Sequence, residues 1–347
     1  MAKKDKEAIE NSGGDVELSE IQDIVKNFGL GAYAGDDERL KLQFIPFGIP
    51  SLDTILGGGL PRNRFSMFGG DTAVGKSFLA VKAIANAQKL GCSTVYFNVE
   101  NKFSPEWFIA GGVNIKKLIV VQGNIMESVW DSMIAFAEKG VDLVILDSLA
   151  ALVPSVMEDA AMIDQTSYTG KHAYMVAKGF QKIMPELSKI DKKTKTAFMF
   201  LNQIRENIRI NPFAGGGGDV IYPGGRSIEH YCTIRARVRR GEWDQETKKE
   251  VTSRRGFQIV VRTEKNQVYR PFMEAVIPFL FTGEIDSVGS LVLLAQDLGI
   301  VTNEGANYFF RGDKIAYGWL KCLELFKTDQ SAYDKLRNEV AGKTAVS

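Results

Sequence analysis

One octapeptide restricts this chain more than any other feature: Gly70-Asp71-Thr72-Ala73-Val74-Gly75-Lys76-Ser77, a G-x-x-x-x-G-K-S spacing. An apolar stretch, Phe65–Phe68, stands before it, and helical periodicity over Ser77–Lys89 follows. A glycine-rich turn between strand and helix lets backbone N–H groups approach a phosphate, and the helix N-terminus adds positive potential. In such a turn Lys76 reaches the β- and γ-phosphates, and the Ser77 hydroxyl ligates Mg²⁺. The strand-to-helix context weakens the alternative of a turn that binds nothing. ATP with Mg²⁺ is the expected ligand, cradled by the loop from Gly70 through Asp71, Thr72, Ala73, Val74, Gly75, Lys76 and Ser77 to Phe78.

The surrounding pattern fits that loop into an α/β fold. Strand-like apolar runs recur at Thr94–Val99, Leu143–Leu146 and Ala197–Leu201, with an amphipathic helix over Ile125–Lys139 between two of them. Strand, helix, strand in repetition predicts a mostly parallel sheet covered on both faces. Two later strand runs, Thr233–Val238 and Gly256–Thr263, have no helix between them and predict an antiparallel extension. The organisation reads as a polar, disordered tail over 1–17, then an N-terminal helix and linker over 18–41. A core over 42–280 and a small C-terminal α/β module over 281–347 follow. Two irregular segments interrupt the core, 155–169 and 205–225, the second with four consecutive glycines; long loops inside a compact domain usually carry function or are disordered.

A Mg²⁺ site needs a second anchor at a neighbouring strand end, and Asp147 closes the run V-D-L-V-I-L-D-S. Glu100 ends Y-F-N-V-E-N, which open-sheet rules bring out on the same edge, where a carboxylate can orient water. On pattern alone a surface carboxylate is an equal reading for Glu100. Trp107, shortly downstream, can stack on adenine or pack in the core, and spacing does not choose between these.

Composition excludes several other classes. No apolar run is long enough to cross a bilayer, and the N-terminus M-A-K-K-D-K-E lacks the apolar stretch of a secretory signal. Cys92, Cys232 and Cys322 are scattered, which points to a reducing compartment such as the cytoplasm and to neither a disulfide framework nor a metal site. With only His172 and His230, histidine-based catalysis is disfavoured. Net charge is +1, yet residues 201–275 carry 14 Lys and Arg against 9 Asp and Glu, a local excess that fits either a solvated face or a polyanion.

Several stretches together resemble RecA-type recombinases. F-G-I-P-S-L-D-T-I-L-G-G-G-L-P-R-N-R (Phe47–Arg64) is similar to the family's lead-in to its phosphate loop. L-N-Q-I-R (Leu201–Arg205) matches its strand and switch, and P-G-G-R-S-I-E-H-Y (Pro223–Tyr231) the end of its glycine-bearing DNA-binding loop. E-K-N-Q-V-Y-R-P-F resembles the segment that reaches a neighbouring subunit's nucleotide. The resemblance runs in order over roughly residues 18–340. It implies a RecA-like P-loop ATPase core and a helical homo-oligomeric filament on single-stranded DNA. It further implies homology search and strand exchange with homologous double-stranded DNA, and no membrane.

Site roles follow residue by residue from the resemblance. Glu100 corresponds to the glutamate that activates water, and Asp147 with Ser148 to the second ATPase motif. Trp107, with Ser104 just before it, falls where the family contacts adenine. Gln203 corresponds to the glutamine that senses the γ-phosphate, and Lys265 to a cation supplied in trans. Segments 155–169 and 205–225 become the DNA-binding loops, with Lys171, Arg205, Arg209, Gly224, Gly225 and Arg226 as DNA contacts and Ile208 or Phe213 as wedges between bases; Lys178 shares the helix face of Lys171.

Three departures stand out: Gln267 where bacterial RecA has a second lysine, Arg226 where it has asparagine, and no acidic tail. They imply a divergent member, as a phage-encoded copy would be. Two other classes share the core. One is a ring-forming ATPase, helicase or KaiC-like, and the other a non-catalytic DNA-binding mediator.

Overall fold

The computed structural model describes residues 18–28, 30–157, 165–206, 220–248 and 251–344. Segment 1–17, residues 158–164 of the first expected DNA loop and most of the second, with Ile208, Arg209 and Phe213, lie outside the described residues. The chain divides into two compact units, one ending at Leu42 and the other starting at Gln43. In the first, helix α1 (Leu18–Lys26) leaves Ile21, Ile24 and Phe28 exposed. The Gln22 side-chain amide donates to the Ala32 carbonyl at 3.1 Å, and Asp37 caps a single 3₁₀ turn, Glu38–Leu40.

The second unit is built on one eight-stranded sheet. Its elements in chain order are α2 (Pro50–Leu56), β1 (Arg64–Gly70), α3 (Lys76–Lys89), β2 (Thr94–Asn98), α4 (Pro105–Ala110) and β3 (Leu118–Gln122). Next come α5 (Met126–Lys139), β4 (Leu143–Asp147), α6 (Gln165–Leu187), β5 (Ala197–Gln203) and α7 (Ser227–Tyr231). The hairpin β6 (Cys232–Lys248) and β7 (Val251–Asn266) follows, then β8 (Glu274–Leu280). The spatial order is β8-β7-β6-β1-β5-β4-β2-β3. β6 runs parallel to β1, and β7 and β8 add antiparallel strands, giving the mostly parallel sheet with an antiparallel extension that the sequence predicts.

Alternation along the strands makes two cores. Phe65, Met67, Val95, Phe97, Val144, Leu146, Phe198 and Phe200 face α5 and α6, meeting Trp130 and Phe180. Phe68, Tyr96, Ile145, Met199 and Leu201 face the other way, onto α3 and α2. A period of two thus buries both faces of the sheet, as helices on each side require. Gly179 is where α6 crosses Trp130: a Cβ there would lie 2.1 Å from the indole ring.

Two strands escape the periodicity reading. β3, L-I-V-V-Q, is an edge strand with only partial burial, and β8 contains Pro278 in an otherwise alternating run. The hairpin is also longer than the apolar runs suggest, because its distal half is charged beyond the cross-strand pair of Trp243 and Phe257. The two irregular segments hold local order at their ends. α6 begins at Gln165, and Arg205–Glu206 pairs with Val220–Ile221.

After the sheet, α8 (Ser287–Asp297), a three-stranded antiparallel sheet β9 (Val301–Glu304), β10 (Asn307–Phe310) and β11 (Asp313–Tyr317), and helices α9 (Trp319–Thr328) and α10 (Gln330–Thr344) complete the chain. No described helix is long and apolar enough to cross a membrane.

Candidate functional site

Register aligns the chemistry on one sheet edge. Gly70 of β1 pairs with Gln203 of β5, Asp147 of β4 with Leu201, and Asn98 of β2 with Asp147. The carboxyl ends of four parallel strands therefore converge where β1 hands over to α3, the place an open α/β sheet offers to a ligand.

The loop itself is shaped by two glycines. A Cβ on Gly70 would lie 2.1 Å from the Val238 carbonyl oxygen, and Gly75 sits at φ +100°, where a side chain would also strike Ile259. Both positions need the missing side chain, one for strand contact and one for backbone conformation. Lys76 opens α3 and folds back over the loop, its Nζ donating to the Gly70 carbonyl at 2.8 Å and the Asp71 carbonyl at 2.5 Å. Burial pulls the Lys76 pKa down, while Asp147, Glu100 and Asp71 pull against it. A buried cation bonded to neutral carbonyls is poised to gain from an arriving anion.

The metal-type pair is in contact. The Ser77 hydroxyl donates to Asp147 Oδ2 at 2.7 Å, and the Tyr96 hydroxyl donates to the same oxygen at 2.8 Å. Burial raises the Asp147 pKa, with those two donors opposing the rise. No cluster of three or more His, Cys, Asp or Glu exists among the described residues. One carboxylate plus one hydroxyl suits Mg²⁺, which keeps water and substrate oxygens for the rest of its shell.

Glu100 lies beyond β2 and is held from three sides. Its Oε1 accepts from the Ser148 hydroxyl at 2.5 Å and the Gln203 side-chain amide at 3.1 Å, while Oε2 accepts from Lys102 Nζ. Burial pushes its pKa up, but the bonds from Lys102, Ser148 and Gln203 outweigh that and hold it below the usual glutamate range. Three residues expected to act together, Glu100, Gln203 and Ser148, thus share one carboxylate oxygen.

A cavity of about 350 Å³ opens above these groups, lined at its polar end by Thr72, Lys76, Ser77, Glu100, Lys102, Asp147 and Gln203. Its other end is aromatic. Trp107 meets Phe279 edge-on at 6.0 Å and Phe78 at 5.8 Å; Phe279 meets Phe257 at 5.2 Å and Phe281 at 6.1 Å. Ser104 does not line this cavity. It caps α4, its Oγ accepting from the Trp107 N–H at 3.4 Å, and so sets the helix that carries the indole.

Sequence reasoning named Trp107 and missed Phe257, Phe279 and Phe281. They come from β7, from β8 and from the residue after β8, where Phe257 pairs with Phe279. Phe257 in R-G-F-Q and the alternating aromatics of P-F-L-F were the available signal; their meeting needed the strand register.

A route leads from this edge to the glycine turn. Asn202, beside Gln203, donates from its side chain to the Pro223 carbonyl at 2.8 Å. Gly224 and Gly225 follow at φ +104° and +68°, with Arg226 exposed before α7. Lys171 and Lys178 are both exposed on α6, Lys178 lying over the Tyr174 ring at 5.5 Å. Arg205 pairs through its backbone with Ile221. Lys265 is not in its own chain's cavity; its Nζ donates to the Glu229 carbonyl at 2.6 Å.

The fold and this edge define a class: a P-loop nucleoside triphosphatase on a mostly parallel α/β sheet. Comparison with known proteins narrows it. The RecA N-terminal domain family matches residues 16–286. The chain is 32% identical over 350 residues to Protein RecA of Streptococcus mutans serotype c, covering 98% of this chain and 89% of that protein. It is 34% identical over 324 residues to Protein RecA of Lactobacillus delbrueckii subsp. bulgaricus, covering 92% and 91%. Against Protein RecA of Streptococcus agalactiae serotype III the identity is 31% over 350 residues. The chain belongs to the RecA family, and with that membership it is an ATP-binding, DNA-dependent ATPase of DNA recombination and repair.

Proposed function

We propose that this protein forms a helical filament on single-stranded DNA in the cytoplasm, pairs it with homologous double-stranded DNA and exchanges strands, with ATP setting the DNA-bound state. The observation that carries the reading is one connected set of hydrogen bonds. Glu100 Oε1 joins Gln203, the next residue Asn202 joins Pro223, and the glycine turn with Arg226 begins there. A γ-phosphate that draws the Gln203 amide away from Glu100 shifts the strand end and, through Asn202, the turn. Contacts made only in the triphosphate state are what convert nucleotide chemistry into a DNA-binding change.

In the hydrolytic step a bond forms between a water oxygen and the γ-phosphorus as the bond to the β–γ bridging oxygen breaks, giving ADP and phosphate. Glu100 orients that water, its ionised carboxylate accepting a water hydrogen. Lys76 leaves the Gly70 and Asp71 carbonyls for the phosphate oxygens, and the α3 N-terminus faces the same charge. Ser77 and Asp147 would hold Mg²⁺, which would neutralise charge developing on the phosphates. Trp107 and its phenylalanine neighbours receive the base. Lys265 serves an adjoining protomer's nucleotide, and Arg226, Gly224, Gly225, Lys171, Arg205 and Arg209 serve the DNA backbone, so that base edges stay free to pair.

A DNA-stimulated ATPase assay run beside a strand-exchange assay tests this. Hydrolysis that rises with single-stranded DNA, together with ATP-dependent exchange between homologous duplex and single strand, is the expected result. Robust duplex unwinding without exchange would contradict it and favour a ring-forming ATPase.

A further inference from the structure

The ion pair between Lys102 and Glu100 has a chemical consequence beyond the roles above. Among the described residues lining the nucleotide cavity, the cations are Lys76 and Lys102. Lys76 is buried against the loop, whereas the Lys102 side chain is 71% exposed while its carboxylate partner is 14% exposed. The two lysines feel one another, for Lys102 is among the groups that lower the Lys76 pKa. Both line the space that phosphates would enter.

The backbone under Lys102 is firmly held, which leaves the side chain as the moving part. Asn98 Oδ1 accepts from the Lys102 N–H at 2.9 Å and from the Phe103 N–H at 3.1 Å. Between them Asn101 stands at φ +54°, closing the turn after β2. A lysine stem of four methylenes on such an anchor can change partner without moving the strand.

The partner it holds is the informative one. Glu100 Oε1 already takes two donors, Ser148 and Gln203, so Oε2 is the freer oxygen for a water, and Lys102 holds one side of it. A carboxylate with all three donors in place is a poor base, since each bond favours its charge. An arriving γ-phosphate offers several charged oxygens to the same ammonium, and charge-assisted bonds to phosphate are strong.

Resting on the ATPase reading above, we propose that Lys102 is a γ-phosphate ligand in cis, parked on Glu100 until triphosphate arrives. Its transfer to the phosphate adds a charge to the transition-state side of the pocket and bares Glu100 Oε2 for water. Catalytic competence is thereby tied to the presence of the third phosphate, because ADP gives Lys102 no comparable partner and leaves the glutamate occupied.

The test compares full-length wild type with Lys102→Ala and Lys102→Arg. Affinities for a non-hydrolysable ATP analogue and for ADP are measured by displacement of a fluorescent nucleotide, and kcat and KM for ATP are measured with single-stranded DNA present. Lys102→Ala is expected to lower the analogue-to-ADP affinity ratio by about tenfold or more, the scale of one charged hydrogen bond. ADP affinity stays unchanged, kcat falls, and Lys102→Arg restores most of the ratio. An unchanged ratio in Lys102→Ala, with wild type hydrolysing ATP normally, overturns the assignment and leaves the ATPase reading intact. A wild type that neither binds nucleotide nor hydrolyses ATP overturns both.

Discussion

The two ends of the cavity proposed to hold the nucleotide, its phosphate end and its base end, are built from different materials by different parts of the chain. At the phosphate end, Lys76, Ser77, Glu100, Asp147 and Gln203 are bound to one another or to the loop by short polar contacts. Each stands at or just beyond the carboxyl end of a parallel strand. At the base end, Trp107, Phe257, Phe279 and Phe281 meet through ring faces and edges, and three of the four come from the antiparallel extension. Polar geometry suits charge that develops during reaction, and aromatic surface suits a flat base that does not change. The division predicts that phosphate-end variants lose turnover, while base-end variants lose affinity.

The largest effect belongs to Lys76→Ala. With its cation gone, ATP-dependent filament formation should vanish and DNA-stimulated hydrolysis should fall by roughly 10³-fold or more, as for other cations that meet transferring phosphoryl groups. Glu100→Gln comes next. It keeps the shape and the bonds from Ser148 and Gln203 in altered form, so nucleotide binding persists while kcat falls by roughly 10²-fold to 10³-fold. Preserved turnover would remove Glu100 from the mechanism.

The same residue makes a pH prediction. Its folded pKa lies below the ordinary 4.5, so the stability that its charged form contributes is present above that value. That contribution is lost only as pH falls through the lowered pKa. The pH profile of kcat/KM, which reports the free enzyme, should accordingly show no Glu100 limb between about pH 5 and about pH 8. A limb near neutrality there would mean that Lys102, Ser148 and Gln203 do not hold the carboxylate before ATP binds.

Phe281→Ala breaks the comparison from its other side. Phe281 is 49% exposed, so its removal costs little stability. A lost ring at the base should raise KM by about tenfold, the scale of one stacking contact, with kcat nearly unchanged. A fall in kcat at constant KM would erase the proposed division of labour. Arg226→Glu lies outside both ends and should have the smallest nucleotide effect. Its reading is in DNA affinity, whose salt dependence should flatten by about one unit of slope.

The two ends also differ in how far the sequence reveals them. The phosphate end is legible because its residues are fixed locally. G-x-x-x-x-G-K-S needs no tertiary information, and an acidic residue closing an apolar run names its own place at a strand end. That Gln203 stands at this edge was suggested only by the ordered resemblance. The aromatic end depends on which residues of β7 and β8 face one another, and one step of register would turn Phe279 away from the cavity. Lys102 was hidden for another reason. In E-N-K-F it reads as a solvated charge, and only the left-handed turn at Asn101 brings it back onto Glu100. Edge strand β3 was obscured by partial burial, and the distal hairpin by its charges.

The central claim is that bound triphosphate sets the DNA-binding state through the Gln203–Asn202–Pro223 route. Electron microscopy of the protein on single-stranded DNA, with a non-hydrolysable ATP analogue, with ADP and without nucleotide, tests it most directly. Extended helical filaments that form with the analogue and not in the other two conditions are the predicted result. Filaments of the same extent without nucleotide, or closed rings alone with the analogue, would contradict it.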